Sequence, residues 1–195
     1  MENSKTSFHT LLAGLLAGVL LCCATGAHAT APRIAPQLFG EERKSDVVAY
    51  QLFSMASAKA GDEMIAELVR SAFSAGGENP VVDMLPSRQL ARYALFNGDA
   101  AALVGLLSDV HEKERKQYRV VTFYLVGSDD RQEPVVLACR KQNSRADNLC
   151  KAFEQGLRQL IKKGQYRQIV DKQMGTGKVP ADILEWLKPH NPGWK

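Results

Sequence analysis

The sequence has few of the residues that build metal centres and catalytic sites. Its 195 residues include only four His and four Cys, and these are not clustered with the spacing of zinc ligands. No G-x-S-x-G sequence is present, which argues against the nucleophile elbow of an α/β-hydrolase. The aromatic content is 7% and the net charge is +4, and no aromatic stacking platform accompanies the basic residues. We therefore expect no enzyme, no metal, no cofactor and no nucleic-acid partner.

Two short sequences resemble parts of a phosphate-binding loop and of a zinc motif, but neither is complete. The Gly-Thr-Gly-Lys sequence at 175–178 resembles the end of a phosphate-binding loop. However, Lys172 stands where that loop needs its first Gly, and Val179 stands where a Ser or Thr would hold magnesium. His111 is followed by Glu, but no second His lies four residues after it, as a helical zinc motif requires.

Long apolar runs are also scarce, and the longest one lies at the N-terminus. Residues 11–24 are almost wholly apolar, and Ala27-His28-Ala29 follows, which is the order of a secretory signal. The run is shorter than the ~20 residues of a membrane-spanning helix. We predict a signal peptide over residues 1–29 and a periplasmic protein with no stable membrane insertion after cleavage. A retained anchor and a lipoprotein modified at Cys22 or Cys23 are the alternatives.

Two cysteines, Cys139 and Cys150, remain after cleavage of that signal. An even pair in an oxidising compartment is typical of a disulfide. Closing so short a loop contributes about 3 kcal/mol to stability. We predict one intramolecular bridge, and two buried free thiols are the alternative.

Strand-like and helix-like segments alternate along the rest of the chain. The predicted strands are residues 46–53, 80–85, 100–104, 118–126 and 134–139. The segments between and after them carry apolar residues at helical spacing. This alternation predicts an α/β fold with a mainly parallel sheet of about five strands, flanked by helices. We divide the chain into an N-terminal arm (30–45), one α/β domain (46–175) and a C-terminal tail (176–195).

Four parts of this pattern resemble the family 3 bacterial extracellular solute-binding proteins, the periplasmic amino-acid-binding type. Residues 65–77 (IAELVRSAFSAGG) are similar to the family's first helix, and residues 86–100 to its P..R….G..DA segment. Residues 118–125 resemble a strand that ends in F-S-x-P-Y in the family. The most specific likeness is the ending, where 135–141 and 149–173 match a strand, a helix and the motif G-x-Y-x-x-I.

The resemblance implies a single lobe of the periplasmic-binding-protein-like (type II) fold. Family members hold their ligand between two lobes, but only residues 127–133 separate the last two predicted strands, which leaves no room for a second lobe. By the resemblance, Arg88 and Arg119 would bind an anionic group, and Tyr124 would lie against the ligand. The chain departs from the family at Ala101, which replaces the Asp of G..DA.

Two functions from different classes are compatible with this likeness. The first is an exported, non-catalytic protein related to the substrate-binding proteins of ABC transporters, which binds a small polar solute such as an amino acid. The second is a single-lobe periplasmic interaction module that has lost solute binding, with a transporter permease or another periplasmic protein as its partner. One lobe leaves half of a ligand in water, where each salt bridge contributes about 0–1 kcal/mol, so we expect weak solute binding.

Overall fold

The described residues fold around a five-stranded sheet. The structure is a computed structural model that describes residues 47–51, 59–128 and 131–194. The strands are β1 (Val47–Gln51), β2 (Val81–Leu85), β3 (Ala102–Leu106), β4 (Tyr118–Ser128) and β5 (Arg131–Arg140). They are arranged in the order β2-β1-β3-β5-β4, and their number agrees with the prediction. The predicted signal peptide (1–29) and arm (30–45) lie outside the described residues.

The sheet is mixed, so the prediction of a mainly parallel sheet is wrong. β1 pairs in parallel with β2 and β3, whereas β5 is antiparallel to both β3 and β4. A parallel pair of consecutive strands needs a crossover of about a dozen residues or more. Only two residues separate Ser128 at the end of β4 from Arg131 at the start of β5, so the two strands form a hairpin.

Five α-helices accompany the sheet in the described part of the chain. They are α1 (Lys59–Ala75), α2 (Arg88–Asn97), α3 (Ser144–Lys162), α4 (Gln165–Met174) and α5 (Ile183–Leu187). Both ends of α2 are capped: Ser87 Oγ accepts a hydrogen bond from the Leu90 N–H, and Gly98 ends the helix with a φ of 78°. Among these helices, none is long and apolar enough to cross a membrane.

The helices divide between the two faces of the sheet. α1 connects β1 to β2 and α2 connects β2 to β3, and these two crossovers run in opposite directions across the sheet. Because parallel crossovers are right-handed, α1 and α2 lie on opposite faces. We call the face covered by α1, α3, α4 and α5 the closed face. The face covered by α2 is the open face, and each face has its own buried cluster.

The closed face is tightly packed. The ring of Phe153 lies between those of Phe73 and Phe123, with centroid distances of 5.1 and 5.5 Å. The backbones of α1 and α3 touch, because a Cβ placed on Gly156 would lie 1.8 Å from the carbonyl oxygen of Ala72. No side chain larger than hydrogen fits at this crossing.

The predicted disulfide between Cys139 and Cys150 is confirmed. It joins the end of β5 to α3 beneath the closed face, with the two Cα atoms 6.1 Å apart. Both cysteines are fully buried. The bridge therefore ties α3, the longest of the described helices, to the sheet.

The C-terminal segment covers the outer edge of β4. Asn191 pairs with both main-chain groups of Thr122: its side chain accepts from the N–H and donates to the carbonyl oxygen, each at 2.9 Å. Trp194 donates from Nε1 to Glu154 on α3 at 2.7 Å. Leu187 is completely buried against the same core. These contacts protect an edge strand that would otherwise present unpaired main-chain groups.

Candidate functional site

The two arginines predicted to bind an anionic group each have an acidic partner. Arg88 is the first residue of α2, and its Nε lies 3.2 Å from Asp109 Oδ1. Arg119, in β4, donates from Nε to Asp147 Oδ1 on α3 at 2.6 Å. This hydrogen bond from Arg119 is the main reason why the pKa of Asp147 is lowered. Both side chains keep a partly exposed surface, 43% for Arg88 and 34% for Arg119.

The structure does not bring the three predicted ligand contacts into one site. Tyr124 is buried in the core of the closed face, where its ring packs edge-on against Trp186 of α5 at 5.9 Å. Burial also raises the pKa of its phenol. Arg119 binds α3, whereas Arg88 lies at the start of the helix that covers the other face of the sheet.

A pocket of about 260 Å³ lies on the open face, between α2 and the segment that follows β3. Gln89, Arg92, Tyr93 and Phe96 line it from α2. Asp109, His111, Glu114 and Tyr118 line it from the other side. The pocket thus combines aromatic rings with charged groups of both signs, and its mouth is open to solvent.

Asp109 is the buried carboxylate of this pocket, with a side chain only 3% exposed. Its Oδ2 accepts a hydrogen bond from the Leu106 N–H at 2.8 Å, which fixes the turn after β3. Burial raises the pKa of Asp109, while the Leu106 hydrogen bond and the charges of Arg88 and Arg92 act in the opposite direction. Asp109 therefore places a carboxyl group in the pocket wall whose burial is partly offset by a hydrogen bond and by two nearby arginines.

Two exposed aromatic residues border the pocket, and we call them the aromatic lip. Tyr93 and Phe96 stand one turn apart on α2 and are 56% and 57% exposed. The guanidinium of Arg140, at the end of β5, lies over the Phe96 ring at 5.8 Å and also donates to the Phe96 carbonyl oxygen. These contacts hold one side of the lip against the sheet.

The pocket runs across the open face, from the carboxyl edge of the parallel strands, where Asp109 lies, towards their amino edge, where Phe96 and Tyr118 lie. α2 begins directly after β2, and Asp109 follows β3 by a single turn. β1 stands between these two strands in the sheet. In open α/β sheets, ligands bind outside the carboxyl ends of the strands. The fold therefore brings the Arg88–Asp109 pair to a position suited to ligand binding.

Sequence reasoning missed the aromatic lip, although a signal for it was present. The buried stripe of α2 is Leu90, Ala91, Ala94 and Leu95, and it accounts for the packing of the helix. Tyr93 and Phe96 fall outside that stripe. Large apolar residues on the solvent side of a short helix indicate a binding surface, because packing does not explain them.

The comparisons with known proteins give one distant likeness. No family model and no curated protein matches the chain. A solved structure, the GluR0 ligand-binding core from Nostoc punctiforme in complex with L-glutamate, is 10% identical. The match covers 66% of this chain and 99% of that chain, with a TM-score of 0.47. At this level, the likeness does not indicate what the present chain binds.

Proposed function

We propose that this protein is an exported, non-catalytic binding protein that takes a small polar solute into the pocket beside α2. The observation that carries the proposal is the placement of a buried carboxylate and two arginines, Arg88 and Arg92, beside the carboxyl edge of parallel strands. The volume of about 260 Å³ lies just below the range of pockets that take drug-sized ligands. A solute of amino-acid size suits it.

The charges of the pocket favour a solute that carries a carboxylate. Arg92 lines the pocket, and a guanidinium matches the two oxygens of a carboxylate in a bidentate geometry. Glu114 offers an acceptor on the opposite wall for an ammonium or hydroxyl group. The resemblance of the sequence to family 3 solute-binding proteins agrees with such a solute. The predicted export to the periplasm agrees with it as well.

Binding by this lobe alone is expected to be weak. The pocket is open on one side, so its charged groups are partly solvated, and each ion pair then contributes about 0–1 kcal/mol. We expect a free energy of about −4 kcal/mol, which corresponds to millimolar affinity.

Titration calorimetry on the monomeric chain tests the proposal, with a panel of amino acids and small organic anions as probes. The informative variant is Arg92→Gln, and Arg70→Gln on the exposed side of α1 is its matched control. We expect saturable binding that weakens at least about fivefold in Arg92→Gln, the loss of about 1 kcal/mol, and that is unchanged in Arg70→Gln. Absence of saturable binding across the panel, or binding unaffected by Arg92→Gln, would contradict it.

A further inference from the structure

The packing of the described residues does not explain the aromatic lip. Tyr93 and Phe96 lie side by side at the mouth of the pocket, and more than half of each residue is exposed. Single exposed apolar residues are ordinary, but two adjacent aromatics beside a concave pocket are typical of an interaction surface. Tyr, Phe and Arg are also the residues enriched at protein–protein interfaces.

Phe96, one of the two residues of the lip, is fixed by contacts within the chain. Arg140 contacts both the ring and the carbonyl oxygen of Phe96, and α2 is capped at both ends by Ser87 and Gly98. A rigid aromatic surface loses little conformational entropy on binding, so more of its contact energy remains as affinity.

Positive charge surrounds the lip, and we call the exposed or half-exposed residues that carry it the basic rim. The basic rim consists of Arg92, Lys116, Arg140 and Lys141. Lys141 donates to the Lys116 carbonyl oxygen at 3.1 Å, which brings these two lysines together near Tyr118 at the pocket wall. Two acidic residues line the pocket beside the rim: Asp109 is buried and bonded to Arg88, whereas Glu114 is half-exposed. α2 itself contains no Asp or Glu.

We propose that the aromatic lip and the basic rim dock an acidic segment of a partner protein, with one apolar side chain of that segment seated at the pocket mouth. The inference rests on the proposed function in one respect, because the partner would supply the wall that the solute pocket lacks. A protein segment fits better than an anionic membrane, since the surface is concave and a side chain can enter it. Charge complementarity gives such docking its orientation and its salt dependence.

The test is fluorescence anisotropy with a short labelled peptide that carries one Trp among Asp and Glu residues. A peptide of the same pattern with Lys in place of the acidic residues is the charge control. We expect the acidic peptide to bind, added salt to weaken it, and Tyr93→Ser/Phe96→Ser to reduce its affinity at least about tenfold, as loss of a hot-spot aromatic does. Met174→Ser, which removes an exposed apolar side chain from α4, should leave it unchanged.

Three results would overturn the inference: equal binding of the two peptides, binding unaffected by the double variant, or binding only to vesicles of anionic lipid. A solute titration on the same samples keeps the two proposals separate. Solute binding without peptide binding overturns the docking inference alone. Peptide binding without solute binding supports docking and contradicts the proposed solute function.

Discussion

The two faces of the sheet differ in how densely they are packed. The closed face carries four helices, a disulfide and a glycine crossing, and most of its large side chains are buried. The open face carries one ten-residue helix whose inner side consists largely of Ala and Leu, and it leaves a pocket and two exposed aromatics. The difference indicates that stability comes mainly from one face, which leaves the other available for binding.

Gly156→Ala should have the largest effect on stability. Its Cβ would lie 1.8 Å from the Ala72 carbonyl oxygen, so α1 and α3 must separate. We expect a loss of about 3 kcal/mol, at the upper end for overpacking. Urea denaturation measures it, with Gly61→Ala in α1 as the control, because nothing lies within 4 Å of the Cβ added there. Equal stabilities of the two variants would contradict the close crossing of α1 and α3.

Reduction of the Cys139–Cys150 bridge should have the next largest effect. The bridge spans 11 residues of sequence, and a loop of this size is worth about 3 kcal/mol when closed. A chain that begins at Thr30 should melt at a lower temperature in the presence of a reductant. Titration of the unfolded, unreduced chain should find no free thiol, and two thiols per molecule would contradict the bridge.

Asn191→Ala tests how the C-terminal segment protects β4. The substitution leaves the buried N–H and carbonyl oxygen of Thr122 without their partner, which costs about 2 kcal/mol. Hydrogen exchange at the Thr122 amide should accelerate in step with the loss of stability. Asn97→Ala, at an exposed site at the end of α2, serves as the control and should change neither quantity.

The two faces should also differ in their response to pH. The pKa of Asp147 is lowered, so its contribution is present above the pKa of the unfolded chain and is lost as the pH falls through the folded value. The pKa of Asp109 is raised, so its ionisation lowers stability as the pH rises from the unfolded value through the folded one. Carboxyl NMR titrations should show opposite shifts, and shifts of one sign at both residues would contradict this contrast.

Much of this architecture can be predicted from the sequence, because it depends on local patterns. Strand positions, the Ser87 and Gly98 caps and the cysteine pair all follow from neighbouring residues. The prediction of a mainly parallel sheet was wrong because it used only the alternation of strand-like and helix-like segments. The short connection between β4 and β5 already required an antiparallel hairpin. The Arg119–Asp147 pair could not be predicted, because its residues lie 28 positions apart and meet only when α3 packs on the sheet.

The most direct test of the account is an amide NMR map of the chain during titration with the panel of amino acids and organic anions. If the open face is the binding face, the shifts should concentrate in α2 and in residues 109–118, around Arg92 and Asp109. The closed face should remain unchanged. Shifts centred on Arg119 and Tyr124, or no shifts at millimolar solute, would contradict the assignment of the site.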